Sequence, residues 1–145
     1  MVPDLVASCH GVVIELGPAT GNQLPRFQQS ALTQVFGIEP NSGFMDVLSA
    51  KAIEAGLQDI YTPINCGIED IDTLRNYGIT KDSVDCVLSI QVLCSVRDPV
   101  QAAAFINQIL KPGGEFVFYE HHASHDWLSS KVQSMRHKNI RELLC

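Results

Sequence analysis

VVIELGPATGN, residues 12–22, decides the fold. Apolar Val12, Val13, Ile14 and Leu16 surround a single acid, Glu15, and run into a turn that contains Gly17, Pro18, Ala19 and Gly21. A continuous apolar run that opens on β-branched residues and ends at glycine reads as a strand buried on both faces, as in a parallel sheet. A carboxylate at the end of such a strand, beside a turn of small residues, marks a corner built to hold a ligand.

The rest of the chain repeats that rhythm. A helix is expected over 22–32, with Asn22 as N-cap and Pro25 confined to its first turn. QVFGI (34–38) reads as a second strand, ended by Glu39 and Pro40. Over 42–55, Phe44, Met45, Leu48, Ala52 and Ile53 share one helical face, and Gly56 stops the helix. IYTPIN (60–65) is a third strand, with Pro63 pointing to a sheet edge. A short helix is expected over 70–77 and a fourth strand over 84–90. A helix over 99–110 follows, capped by Asp98 and stopped by the turn KPGG (111–114). EFVFY (115–119) is the fifth strand. Strands alternating with helices or long crossovers define the class: α/β, a Rossmann-like, doubly wound parallel sheet with right-handed crossovers.

Length and composition bound the function. A chain of 145 residues is expected to form one domain, 1–145, and 46% hydrophobic with 18% charged residues is a globular balance. The net charge of −6, with no basic run, argues against a nucleic-acid partner. The longest apolar stretches are strand-sized, so no membrane span is expected. No basic segment leads into an apolar one at the N-terminus, so no signal peptide is read. Five scattered cysteines without a C-x-x-C suit free thiols in a reducing compartment, and a cytoplasmic location is expected. Cys66, Cys86 and Cys94 read as small buried thiols.

In such a sheet ligands bind beyond the carboxyl ends of the strands, where the winding reverses. Glu15 and the glycine turn end the first strand, and Glu39 ends the second. A dinucleotide site wants G-x-G-x-x-G; here Ala19 and Asn22 replace two of its glycines. The register E-x-G-x-G-x-G fits better, as Glu15, Gly17, Ala19 and Gly21, with only the middle glycine enlarged by a methyl. That turn approaches the methionine part of S-adenosylmethionine, whose ammonium end suits the acid. Glu39, about twenty residues beyond the turn, is placed for ribose hydroxyls, a role shared with NAD sites.

With these residues the chain resembles the class I S-adenosylmethionine-dependent methyltransferases of the broad type 11 group. VIELGPATG, VFGIEPN, CGIEDI, SVDCVLSIQVLCSVRDP and ILKPGGEFVFYEH carry the likeness in order. VLCSV, LKPGG and EHHA look most like the thiol-methyltransferase-like branch with its fungal relatives. The resemblance implies S-adenosyl-L-methionine as cofactor and strand order 3-2-1-4-5. It places Gly17, Ala19 and Gly21 under the methionine portion with Glu15 nearby, and Glu39 at the ribose. Pro40 and Asn41 then lie at the adenine edge, and Ile68 and Glu69 against the base. The family often has an Asp just before that pair, where this chain has Gly67. Gln91 would stand where methyl group and substrate meet, with Val92, Leu93 and Cys94 continuing the wall. His121 or His122 would serve as a base for acceptors that need one.

Other features read more plainly. Glu69, Asp70 and Asp72 form a solvated loop and helix start, and HHASHD (121–126) is a wet turn rather than a metal site. Family members usually continue beyond the fifth strand with a helix and an antiparallel strand pair. Here that pair is expected to be lacking, with 136–145 an atypical basic, amphipathic tail. The fifth strand would then lie at an uncovered edge that invites pairing between copies. The expected activity is methyl transfer to a small-molecule acceptor, a thiol or an O, N or C atom of a metabolite. The alternative is a truncated or degenerate module that binds cofactor or a partner protein without catalysis. A nicotinamide-dependent oxidoreductase is disfavoured by the missing glycines and the lack of a Tyr-x-x-x-Lys pair.

Overall fold

Residues 1–120, and the backbone of 139–144, are described by the computed structural model. The sheet is built outward from β1 (Gly11–Leu16). Its neighbours are β2 (Leu32–Ile38), with β3 (Tyr61–Ile64) at the edge, and on the other side β4 (Val84–Ile90) and β5 (Leu110–Glu120). All these pairings are parallel, in the expected order β3-β2-β1-β4-β5. Ile14 and Leu16 face one apolar layer, where Leu74 of α3 (Ile71–Asn76) and Ala102 and Ile106 of α4 (Pro99–Ile109) pack. Val13 faces the other, with Leu5 and Val6 of α1 (Val2–Ala7) and Leu48 and Ala52 of α2 (Met45–Glu54). Because both faces of β1 are covered, its apolar run is continuous rather than alternating.

Local signals held where they were strong. Asp98 caps α4 by accepting from the N–H groups of Val100 and Gln101, both at 3.0 Å. Asp70 caps α3 through the Thr73 N–H. Pro63 sits on the edge strand, where a missing donor is tolerated.

The helix expected over 22–32 does not form. Turns and two 3-10 segments, Leu24–Arg26 and Gln29–Ala31, cross from β1 to β2 instead. Phe27 and Gln28 are extended. Leu24 and Phe27 bury the side chains that a helix face would have supplied. KPGG is also more than a turn: β5 begins at Leu110, already paired with Val84, and passes through Gly113 at φ +82° with a register shift. Cys66 and Cys86 are buried as expected, but Cys94 is exposed, because it lies on the 3-10 turn that leaves β4.

The far side of β5 is not open. Residues 139–144, within the expected tail, form β6 (Asn139–Leu144), parallel to β5 with Glu115 opposite Asn139 and Glu120 opposite Leu144. The free N–H and C=O groups of an edge strand are a template for pairing, and here the same chain fills it. The expected pairing between copies at that edge therefore has no support. Every strand pair among the described residues is parallel. No helix among them is long and apolar enough to cross a membrane.

Candidate functional site

The winding reverses between β1 and β4, and a cavity of about 770 Å³ opens there at the carboxyl ends of the strands. Every residue expected at the cofactor site lines it except Glu15 and Gly21.

The glycine turn forms its floor. Gly17 stands at φ +55° and donates its N–H to the Ile38 carbonyl at 2.9 Å, which ties the turn to the end of β2. A Cβ at Gly17 would meet both Val92 methyls, at 2.8 and 2.9 Å. Ala19, also left-handed at φ +48°, donates its N–H to Glu39 Oε2 at 3.0 Å. Gly21 faces elsewhere: a Cβ there would press on Leu48 and Lys51 of α2, so this glycine serves helix packing and not the cavity.

Ala19 carries a strain that glycine would not. A non-glycine residue in this conformation costs roughly 1–2 kcal/mol, offset by the about 0.4–1 kcal/mol that glycine loses through unfolded-chain entropy. Ala19→Gly is therefore expected to stabilise the fold by about 0.5–1 kcal/mol, read as a higher midpoint in denaturant. A lower midpoint would show that the methyl makes contacts outweighing the strain.

Glu39 ends β2 with its side chain buried. Oε2 accepts from Ala19, Oε1 accepts from the Asn41 N–H at 2.9 Å, and each oxygen keeps a lone pair for a second donor. Asn65 Nδ2 donates to the backbone carbonyls of Glu39 and Pro40, at 2.9 and 3.1 Å, and Asn41 in turn accepts from the Gly43 N–H. The end of β2 is thus fixed by side chains from two directions.

Glu15 does not reach the rim as a charged acid. It faces the same layer as Val13, is 2% exposed, and its Oε2 accepts from the Tyr61 hydroxyl at 3.2 Å. Tyr61 reaches it across Gly37, where any Cβ would collide with the tyrosine hydroxyl. Burial pushes the Glu15 carboxyl up to about 8, so it holds its proton at neutral pH. Burial, and then the adjoining Glu15, push the Tyr61 hydroxyl up as well. The other oxygen, Glu15 Oε1, is buried with no hydrogen-bond partner among the described residues, and it lies outside the cavity lining.

Across the cavity, Ile68 is buried and Glu69 Oε1 accepts from the Arg97 N–H at 3.0 Å. A Cβ at Gly67 would run into Glu69 Oε2. The space above the glycine is therefore filled by a carboxylate from two residues further on. Asp70 also lines the cavity, its carboxyl held below the usual range by the Thr73 hydroxyl and N–H. With Glu39, Glu69 and Asp70 against Arg97 alone, the lining is acidic and unsuited to a pyrophosphate.

Gln91 leaves β4 at φ +59° with its N–H on the Tyr119 carbonyl at 2.7 Å. Behind it stands Glu120, a buried acid that sequence reading passed over, bonded to Ser89, Val92 and Leu93. One signal for it existed: like Glu15 and Glu39, it is an acid at the carboxyl end of an apolar strand. Phe44, Ser95, Val96 and Arg97 also line the cavity, and nothing in their local sequence marked them. His121, His122 and the helix expected after the fifth strand lie outside the described residues.

Comparison with known proteins agrees with this geometry. Mouse thiol S-methyltransferase TMT1B is 29% identical over 109 residues, covering 75% of this chain and 42% of that protein. Sterol methyltransferase-like 1 of Botryococcus braunii is 26% identical over 108 residues, covering 74% and 26%. The chain thus spans less than half the length of these relatives. Among solved structures, the [4+2]-cyclase SpnF superposes with a TM-score of 0.73 at 19% identity, covering 92% of this chain and 55% of that one. A SAM dependent methyltransferase from Aquifex aeolicus gives 0.60 at 14% identity, covering 74% and 54%. A family model described as methyltransferase domain matches residues 14–118, from the middle of β1 to the end of the β5 core. By that match the chain belongs to the methyltransferase domain family.

Proposed function

We propose that this domain binds S-adenosyl-L-methionine and transfers its methyl group to a small-molecule acceptor, a thiol before other nucleophiles, in the cytoplasm. The observation that carries the reading is the buried carboxylate of Glu39, held by two backbone N–H groups at the rim of an acidic cavity. In this reading Glu39 takes the ribose hydroxyls on its remaining lone pairs. Ile68 packs against the adenine, Pro40 and Asn41 close its edge, and Glu69 Oε2 accepts from its amino group where the family often uses the residue at position 67. Gly17 and Ala19 lie beneath the methionine portion, and Glu15 stands behind them as a neutral, buried group outside the cavity lining.

The cofactor's sulfonium supplies an already activated methyl group, so the protein's task is alignment and exclusion of water. Gln91 and Val92 form the wall at which the acceptor is aligned. A thiol reacts as its thiolate; an oxygen or nitrogen acceptor gives its proton to a base, for which His121 is the candidate. Similarity to the mouse and rat thiol S-methyltransferases supports the thiol.

Calorimetry with S-adenosylmethionine and with NADH, followed by methyl transfer from labelled cofactor to a panel of small thiols, tests the reading. Binding of the sulfonium compound and a labelled thioether are expected. Binding of NADH alone would overturn the cofactor; cofactor binding without transfer to any acceptor would leave a binding module.

A further inference from the structure

We infer that Glu120, the last residue of β5, is the positioning residue for the cavity wall opposite the glycine turn. It governs the methionine end of the site and not the adenosine end, an inference that rests on the cofactor reading above. A single oxygen, Glu120 Oε1, accepts from the Ser89 hydroxyl at 2.8 Å, the Val92 N–H at 3.0 Å and the Leu93 N–H at 3.2 Å. Ser89 belongs to β4, and Val92 and Leu93 to the chain leaving it, so one atom staples the strand to its own exit.

The exit needs that staple. Gln91 is left-handed, an unfavourable state for a side chain with a Cβ. Its N–H makes the last bond to β5, on Tyr119 O. The next two N–H groups are past the strand and must find an acceptor, because buried backbone donors are rarely left unpaired. Glu120 provides it. Val92, fixed in this way, lays its methyls where a Cβ of Gly17 would stand. Glu120 does not line the cavity, whereas Gln91 and Val92 do, so it acts through them. The adenosine side has separate supports: Glu39 is held by Ala19 and Asn41, and its backbone carbonyl by Asn65. None of these bonds involves Glu120.

The test is calorimetric, on the full chain, with S-adenosylmethionine and adenosine as paired probes. In Glu120→Ala the dissociation constant for S-adenosylmethionine is expected to rise about tenfold or more, while that for adenosine stays within about twofold. Glu120→Gln keeps a carbonyl oxygen for the same donors and is expected to restore S-adenosylmethionine binding to within about threefold of wild type. Equal weakening of both probes would reduce Glu120 to a general stabiliser and overturn the inference. So would unchanged S-adenosylmethionine binding in Glu120→Ala, or a glutamine variant as weak as alanine. If Glu120→Ala does not fold, Glu120→Asp, one methylene short of the three donors, replaces it with the same expectation. A folded wild type that binds neither probe would overturn the cofactor reading itself, a failure distinct from parallel loss in the variants.

Discussion

Between pH 5 and pH 8 the protein is expected to lose roughly 3–4 kcal/mol of stability relative to its Glu15→Gln variant. In the unfolded chain a glutamate ionises near pH ~4.3; in the fold, burial raises Glu15 to about 8. Within that window the native state binds a proton that the unfolded state has released, so stability falls as pH rises. This is the reverse of a salt-bridged carboxylate. The effect is absent below the unfolded value, grows across the window and levels off above the folded one. Glutamine has nearly the same shape, cannot ionise, and still offers an oxygen to the Tyr61 hydroxyl. The other titrating groups are common to both proteins and largely cancel in the difference. Denaturant unfolding at a series of pH values reads it directly, and parallel stability curves would show that Glu15 is ionised in the fold after all.

Glu15 also shows what the chain's order does and does not disclose. That an acid ends the first strand is visible in VVIELG; that it is neutral is not. Its state depends on Tyr61, forty-six residues away, and on Gly37 being a glycine so that the tyrosine can cross. The same division runs through the fold. The fourth strand and the Asp98 cap were legible because their signals are local: an apolar β-branched run, and an acid before proline. The β1–β2 connection was misread because Asn22 and Pro25 are only local signals, while Leu24 and Phe27 bury themselves in a layer with residues far away in the chain, among them Leu5, Val6 and Leu48. The pairing of residues 139–144 with β5 depends likewise on a long-range vacancy at a sheet edge. At the site, Gly17, Ala19 and Glu39 were legible from their spacing around β1 and β2. Val92 was legible as part of the wall after Gln91, but its contact with Gly17 was not, and Glu120 was hidden because its role arises from contacts across the β4–β5 boundary. Gly67 was legible only as a departure; that Glu69 occupies the space it leaves required the fold.

Glu39→Ala is expected to weaken binding of S-adenosylmethionine by roughly 2–4 kcal/mol, about 30-fold to 1000-fold in dissociation constant. Two contributions add. Hydrogen bonds to a charged acceptor are worth about 1.5–3 kcal/mol each before non-additivity, and the proposed ribose contact has two. The substitution also removes the acceptor that fixes Ala19 and Asn41, at 3.0 and 2.9 Å, so the glycine turn and the start of the 3-10 segment Ser42–Phe44 lose their common anchor. The two effects separate by a second variant. Glu39→Gln keeps one oxygen for one of the two N–H groups but offers an amide donor in place of the other oxygen. It is expected to retain most of the fold's stability while losing much of the ribose affinity. Adenosine and 2′-deoxyadenosine distinguish the cause further: wild type should prefer the ribose form, and Glu39→Ala should bind the two alike. A wild type indifferent to the 2′-hydroxyl, or a Glu39→Ala variant of unchanged affinity, would remove the ribose from the end of β2. The cavity would then require a different ligand or a different orientation within it.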